Sequence, residues 1–143
     1  MDEAEIQPPG FEVRLAPTDR APAAARQCLE RLHARLDSDG LETMRLLVSE
    51  LVTNSVRHAR LESSGWINIA VEEKPRALRV AVSDPGIGFD QRPGPPQPGG
   101  GSGWGLHLVE QLADRWGVSR DGETRVWFEI DRHPAQPSTP AAP

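Results

Sequence analysis

Two alternating apolar runs, 66–71 and 77–82, are joined by a link, centred on Glu73-Lys74-Pro75-Arg76, that leaves room only for a hairpin. Parallel pairing would need a crossover of about a dozen residues or more, so these strands pair antiparallel. The chain therefore departs from the regular βαβ alternation of a dinucleotide-binding domain, and a glycine-rich stretch in it is not read as a dinucleotide fingerprint.

The segments around the hairpin extend this constraint. Residues 11–15 place Phe11, Val13 and Leu15 on one side and predict a short edge strand. After the turn Pro17-Thr18-Asp19, a helix is predicted over 21–36, with Cys28, Leu29, Leu32 and Leu36 on one face, broken by Asp37-Ser38-Asp39-Gly40. A second helix is predicted over 41–59. At 100° per residue its Leu41, Met44, Leu47, Val48, Leu51, Val52, Ser55, Val56 and Ala59 fill an arc of about 180°, a core helix with one wet side. Leu108, Val109, Leu112 and Trp116 give a helical pattern over 106–116, followed by a short strand at Val118-Ser119 and a last strand over 124–130. The order predicts an α+β fold: a two-layer α/β sandwich whose mostly antiparallel mixed sheet carries helices on one face. Residues 1–10 and 133–143 read as flexible tails around a domain at 11–132. Within it, about 90–103 runs in Pro, Gly and Gln without periodicity, as a functional lid would.

With 143 residues the chain can bury a core without disulfides or a structural metal. Its one cysteine, Cys28, has no internal partner, and no Cys/His group has zinc-ligand spacing. No run approaches the roughly 20 apolar residues of a membrane helix, and the N-terminus does not resemble a signal peptide. A soluble, cytoplasmic protein without membrane contact is expected. Net charge is −5, Lys74 is the only lysine and the arginines are scattered, which argues against direct nucleic-acid binding. Phosphate binding remains open to an acidic protein, because local amides and a metal neutralise phosphate better than overall charge does.

Three constellations carry chemistry. Glu50, Asn54 and His58 follow one another at i, i+4 and i+8 and form a stripe at the border of the apolar arc. A carboxylate and an amide oxygen one turn apart suit a hard cation such as magnesium, with phosphates and waters completing its octahedron. His58 projects between Leu47 and Leu51, where a core-edge histidine is an equal reading. Asp84-Pro85-Gly86-Ile87-Gly88 ends an apolar strand with a carboxylate able to accept from an exocyclic amine, and its glycines allow close approach of a ligand. Gly99-Gly100-Gly101-Ser102-Gly103-Trp104-Gly105-Leu106 enters a helix, where unpaired amides and the helix dipole favour an anion.

In order, Glu-x-x-x-Asn-x-x-x-His, Asp-x-Gly-x-Gly and Gly-x-Gly-x-Gly resemble the Bergerat ATP-binding fold of the GHKL superfamily, which includes gyrases, heat-shock chaperones, histidine kinases and mismatch-repair ATPases. Gly122-Glu123-Thr124 is similar to a further Gly-x-Thr element of that family, and the likeness covers about 11–130. The resemblance implies ATP and Mg²⁺ as cofactors. It implies Glu50 as catalytic base, Asn54 as magnesium ligand and Asp84 as adenine reader, with Thr124 supporting Asp84 through a water. It also implies that Gly86 and Gly88 line the nucleotide, that Gly103 and Gly105 approach the phosphates, and that His58, Gly101, Trp104 and Leu106 belong to the binding site.

The 143 residues are expected to carry neither the large coupling domains of gyrase-type relatives nor the dimerising hairpin of a sensor kinase. The stretches 47–59 and 105–118 look like the corresponding helices of anti-sigma factor serine/threonine kinases. That branch implies phosphorylation of an anti-sigma antagonist, sequestration of a sigma factor in some members, control of transcription by partner switching, and a homodimer. The alternative is a non-catalytic module that binds ATP and sequesters a partner. One departure bears on this choice: Gly101 stands where some kinase relatives carry an arginine, and Arg92 is the nearby substitute.

Overall fold

The structure, a computed structural model, describes residues 10–62, 65–84, 104–119 and 123–132, with the side chains of 58–62 and 104–105 excepted. Its elements are β1 (Gly10–Leu15), α1 (Ala21–Cys28), α2 (Ser38–Glu62), β2 (Ile67–Lys74), β3 (Ala77–Asp84), α3 (Trp104–Leu112), β4 (Arg115–Ser119) and β5 (Thr124–Asp131). The strands form one five-stranded sheet in the order β1-β2-β3-β5-β4, antiparallel at every junction. The helices cover one face of it, which is the expected α+β sandwich. The tails at 1–9 and 133–143 and the lid lie outside the described residues, and Gly10 is already part of β1.

Strand alternation sends Ile67, Ile69, Leu78, Val80, Val82, Val126 and Phe128 toward the helices. There they meet Met44, Leu47, Val48, Leu51 and Val52 of α2 in one buried cluster. Three of the differences from the sequence expectation have a local physical cause. The first helix stops at Cys28, and a 3-10 turn at Leu29–Leu32 replaces its continuation to residue 36. At three residues per turn Leu29 and Leu32 point the same way, whereas an α-helix would splay them by about 60°; both are buried. Asp37 opens α2 instead of merely breaking the chain: its Oδ1 accepts the Gly40 N–H at 2.8 Å, as an N-cap does, so the helix starts at Ser38. Finally, Trp116 belongs to β4, opposite Phe128, and not to α3. Asp114 ends the helix by donating its N–H to the Glu129 carbonyl at 2.9 Å and accepting the Asp131 N–H on its carboxylate at 2.7 Å.

On the sheet face away from the helices, Glu129 accepts from Arg79 Nε at 2.9 Å and from Arg115 Nε at 2.7 Å, and Arg115 also binds Asp131. Burial alone would push the Glu129 carboxyl up, but the hydrogen bonds and charges of Arg115 and Arg79 outweigh it and hold it below the usual carboxylate range. Arg79 also lies 4.0 Å over the Trp127 ring. Trp127 in turn covers Gly117, where a Cβ would come within 2.6 Å of the indole Nε1. Gly117→Ala is therefore expected to displace Trp127 and cost about 1–3 kcal/mol, read as a lower urea midpoint with a shifted tryptophan emission. Unchanged unfolding would mean the indole swings aside at no cost.

Candidate functional site

The site begins where α2 crosses the ends of β3 and β5. Asp84 and Thr124 sit opposite one another in the β3–β5 register. Alternation places both on the helix-covered side, and they are 4% and 2% exposed. A carboxylate this deep needs donors. Ser55 of α2 supplies one, with its Oγ donating to Asp84 Oδ2 at 2.7 Å. Ser55 occupies a place in the apolar arc of α2 that a leucine or valine would otherwise fill, and its role was missed by sequence reasoning. The available signal was a lone hydroxyl in an otherwise aliphatic arc, facing a strand that ends in Asp.

Asn54, next to Ser55, is 5% exposed, and its Nδ2 has no hydrogen-bond partner among the described residues. Buried amides are normally satisfied, and among the described residues this one is not. Glu50 lies one turn earlier on the same helix and is half-buried, with no hydrogen bond or ion pair among the described residues. A carboxylate and a carboxamide oxygen so placed fit a magnesium ion whose remaining ligands come from phosphate and water. Among the described residues no group of three His, Cys, Asp or Glu side chains gathers to hold a metal by protein ligands alone.

Leu106 of α3 is buried at 1% exposure, where α3 packs on α2. Trp104 and Gly105 form the first turn of that helix. The structure thus brings Asn54, Ser55, Asp84 and Thr124 to one end of the sandwich, with Glu50 one turn away. His58 lies on α2, but its side chain is outside the described residues, as are Gly86, Gly88, Gly101 and Gly103. Among the described residues no helix is long and apolar enough to cross a membrane.

A family model for the histidine kinase-like ATPase domain matches residues 11–130. The serine-protein kinase RsbW of Staphylococcus epidermidis is 30% identical over 131 residues, covering 81% of this chain and 82% of that protein. The serine-protein kinase RsbW of Listeria innocua is 36% identical over 88 residues; the match covers 53% of this chain and little more than half, 56%, of the relative. Two solved structures share the fold. The RsbU and RsbW domains of a Mycobacterium tuberculosis protein give a TM-score of 0.65 at 22% identity, over 87% of this chain and 33% of that one. The histidine kinase domain of a blue-light activated kinase from Erythrobacter litoralis gives 0.53 at 24% identity, over 76% and 58%. The chain belongs to the histidine kinase-like ATPase domain family, a membership that implies ATP binding, and serine-protein kinases of the RsbW type are among its homologues.

Proposed function

We propose that this protein is an ATP-dependent serine/threonine protein kinase of the anti-sigma type, acting in the cytoplasm on a protein antagonist and regulating transcription through partner switching. The observation that carries the proposal is the buried Asn54 amide, whose nitrogen has no partner among the described residues, one turn from Glu50 and beside the Ser55–Asp84 hydrogen bond. Asp84, oriented by Ser55, accepts a hydrogen bond from the adenine amine, with Thr124 beside it. Gly86, Gly88 and Thr124 complete the base pocket, and the lid at about 90–103 closes over the nucleotide. Gly101, Gly103, Trp104, Gly105 and Leu106 bring the α3 N-terminus to the phosphates, where its amides stabilise charge. His58 flanks the same stripe of α2.

Asn54 is the residue that would hold Mg²⁺, through its carboxamide oxygen. When bound, the ion neutralises phosphate charge and orients the γ-phosphoryl group. Glu50 accepts the proton of the partner's Ser or Thr hydroxyl. The hydroxyl oxygen bonds to the γ-phosphorus, the bond from that phosphorus to the bridging oxygen breaks, and ADP leaves. The 30% identity to RsbW supports the substrate class.

Calorimetric titration with ATP, with and without Mg²⁺, tests the site. Magnesium-dependent binding is expected in the wild type, and the magnesium dependence should disappear in Asn54→Ala. Equal behaviour of the two proteins would remove Asn54 from the metal site. Phosphate incorporation into a candidate antagonist then separates a kinase from a module that only binds ATP and sequesters its partner, the outcome that Gly101 in place of an arginine would favour.

A further inference from the structure

The open face of the sheet holds two charge systems of opposite kind. At one end Arg79 and Arg115 are consumed by Glu129 and Asp131. At the other, Arg14 and Arg125 form no ion pair among the described residues, although Glu12 and Glu123 stand on the same rim. Glu12 is held by Asn68, whose Nδ2 donates to its Oε2 at 3.2 Å.

The strand register turns these arginines into the walls of a trough. Arg14 faces Asn68, Asn68 faces Ser83 and Ser83 faces Arg125, in one row across β1, β2, β3 and β5. The next row runs from Glu12 through Ala70 and Ala81 to Trp127. Short side chains thus pave β2 and β3, while long ones stand on β1 and β5. Three strand spacings separate the walls, about 14 Å, which is enough for one extended chain lying along the strands. The concavity measures about 550 Å³. Its floor includes Ser83, a buried residue whose hydroxyl makes no hydrogen bond among the described residues. At its mouth stands Trp66, a large apolar side chain left 55% exposed.

We propose that this trough is a docking site for an extended acidic segment of a protein partner, with Arg14 and Arg125 each taking a carboxylate across Asn68 and Ser83, and Trp66 taking an apolar side chain. Neighbouring side chains of an extended segment point to opposite sides, so two consecutive acidic residues reach the two walls together. Trp66 stands just before β2, two residues from Asn68 and about 7 Å away if the chain is extended there, so the apolar residue lies about two positions from the acidic pair. Each arginine offers a planar fork matched to a carboxylate. The trough lies on the opposite sheet face from Asp84 and Thr124, although Ser83 and Arg125 adjoin them along β3 and β5, and the proposal does not rest on the kinase reading.

Fluorescence anisotropy with a labelled Phe-Ala-Glu-Asp-Ala-Phe amide tests it, the arrangement serving either chain direction. Saturable binding is expected at low salt, weakening as salt rises. It should fall at least tenfold in Arg14→Glu and in Arg125→Glu, fall severalfold in Trp66→Ala, and be absent for the Phe-Ala-Gln-Asn-Ala-Phe control. Far-UV circular dichroism and the ATP titration should match wild type in all three variants, which separates loss of this site from loss of the fold or of the nucleotide site. Absence of saturable binding to wild type, or equal binding to the charge-reversed variants, overturns the proposal. So does sedimentation showing a dimer that either arginine reversal dissociates, because the face would then be occupied by a second copy.

Discussion

Glu50→Gln is expected to slow phosphate transfer to the protein substrate by about 10²–10⁴-fold, the usual worth of a positioned general base, and to leave ATP affinity unchanged. The substitution keeps the size of the side chain and removes only its ability to take a proton. Because Glu50 makes no hydrogen bond or ion pair among the described residues, none of those residues loses a partner and the unfolding midpoint should hold. Its half-buried position on α2 leaves it reachable by a hydroxyl from outside, unlike Asn54 one turn further on, which is 5% exposed. The loss should therefore appear in kcat, with the nucleotide Kd as control. Phosphoryl transfer through a loose transition state asks little of a base. A variant retaining nearly full transfer would mean that positioning and charge stabilisation dominate here and that Glu50 has another role. If the wild type binds ATP and transfers nothing to an antagonist it binds, the protein is a nucleotide-dependent binding module.

The sequence was most legible where one physical rule acted alone. The short link dictated an antiparallel hairpin, and the 3.6-residue period of α2 placed Met44, Leu47, Val48, Leu51 and Val52 in the core they occupy. It was least legible where two rules competed. Trp116 continues the helical spacing of Leu108, Val109 and Leu112, yet the β4–β5 pairing takes it into the sheet, because Asp114 satisfies backbone groups of β5 on both sides of Ile130. Asp37 and Gly40 resemble a break and serve as a helix start, a distinction that depends on one side-chain acceptor. Of the site, the stripe on α2 and the carboxylate ending β3 stood out by spacing and by position in their elements. Ser55 did not, since its partner Asp84 lies 29 positions away and no local pattern announces a contact between a helix and a strand end. The open-face trough was equally hidden, because it depends on the register that sets Arg14, Asn68, Ser83 and Arg125 in one row.

Asp84→Ala is expected to weaken ATP binding by about 1.5–3 kcal/mol, the range for a hydrogen bond to a charged group, or about 10–150-fold. It should erode the preference for ATP over GTP as well. In the proposed site the Asp84 carboxylate accepts from the adenine amine, so guanine, with a carbonyl oxygen at the same place, would meet repulsion; without the carboxylate neither base would be favoured there. Ser55→Ala removes a donor to Asp84 and not a ligand contact, so it should cost less, about 0.5–1.5 kcal/mol, through a carboxylate that is less firmly held. The two effects should not add. Once Asp84 is gone Ser55 has nothing to orient, so the double variant should bind ATP as weakly as Asp84→Ala alone, and the shortfall from additivity measures their coupling. If Asp84→Ala instead lowers the melting temperature and leaves ATP binding intact, the 2.7 Å bond from Ser55 is a clamp between α2 and β3, and the adenine must be read by another group.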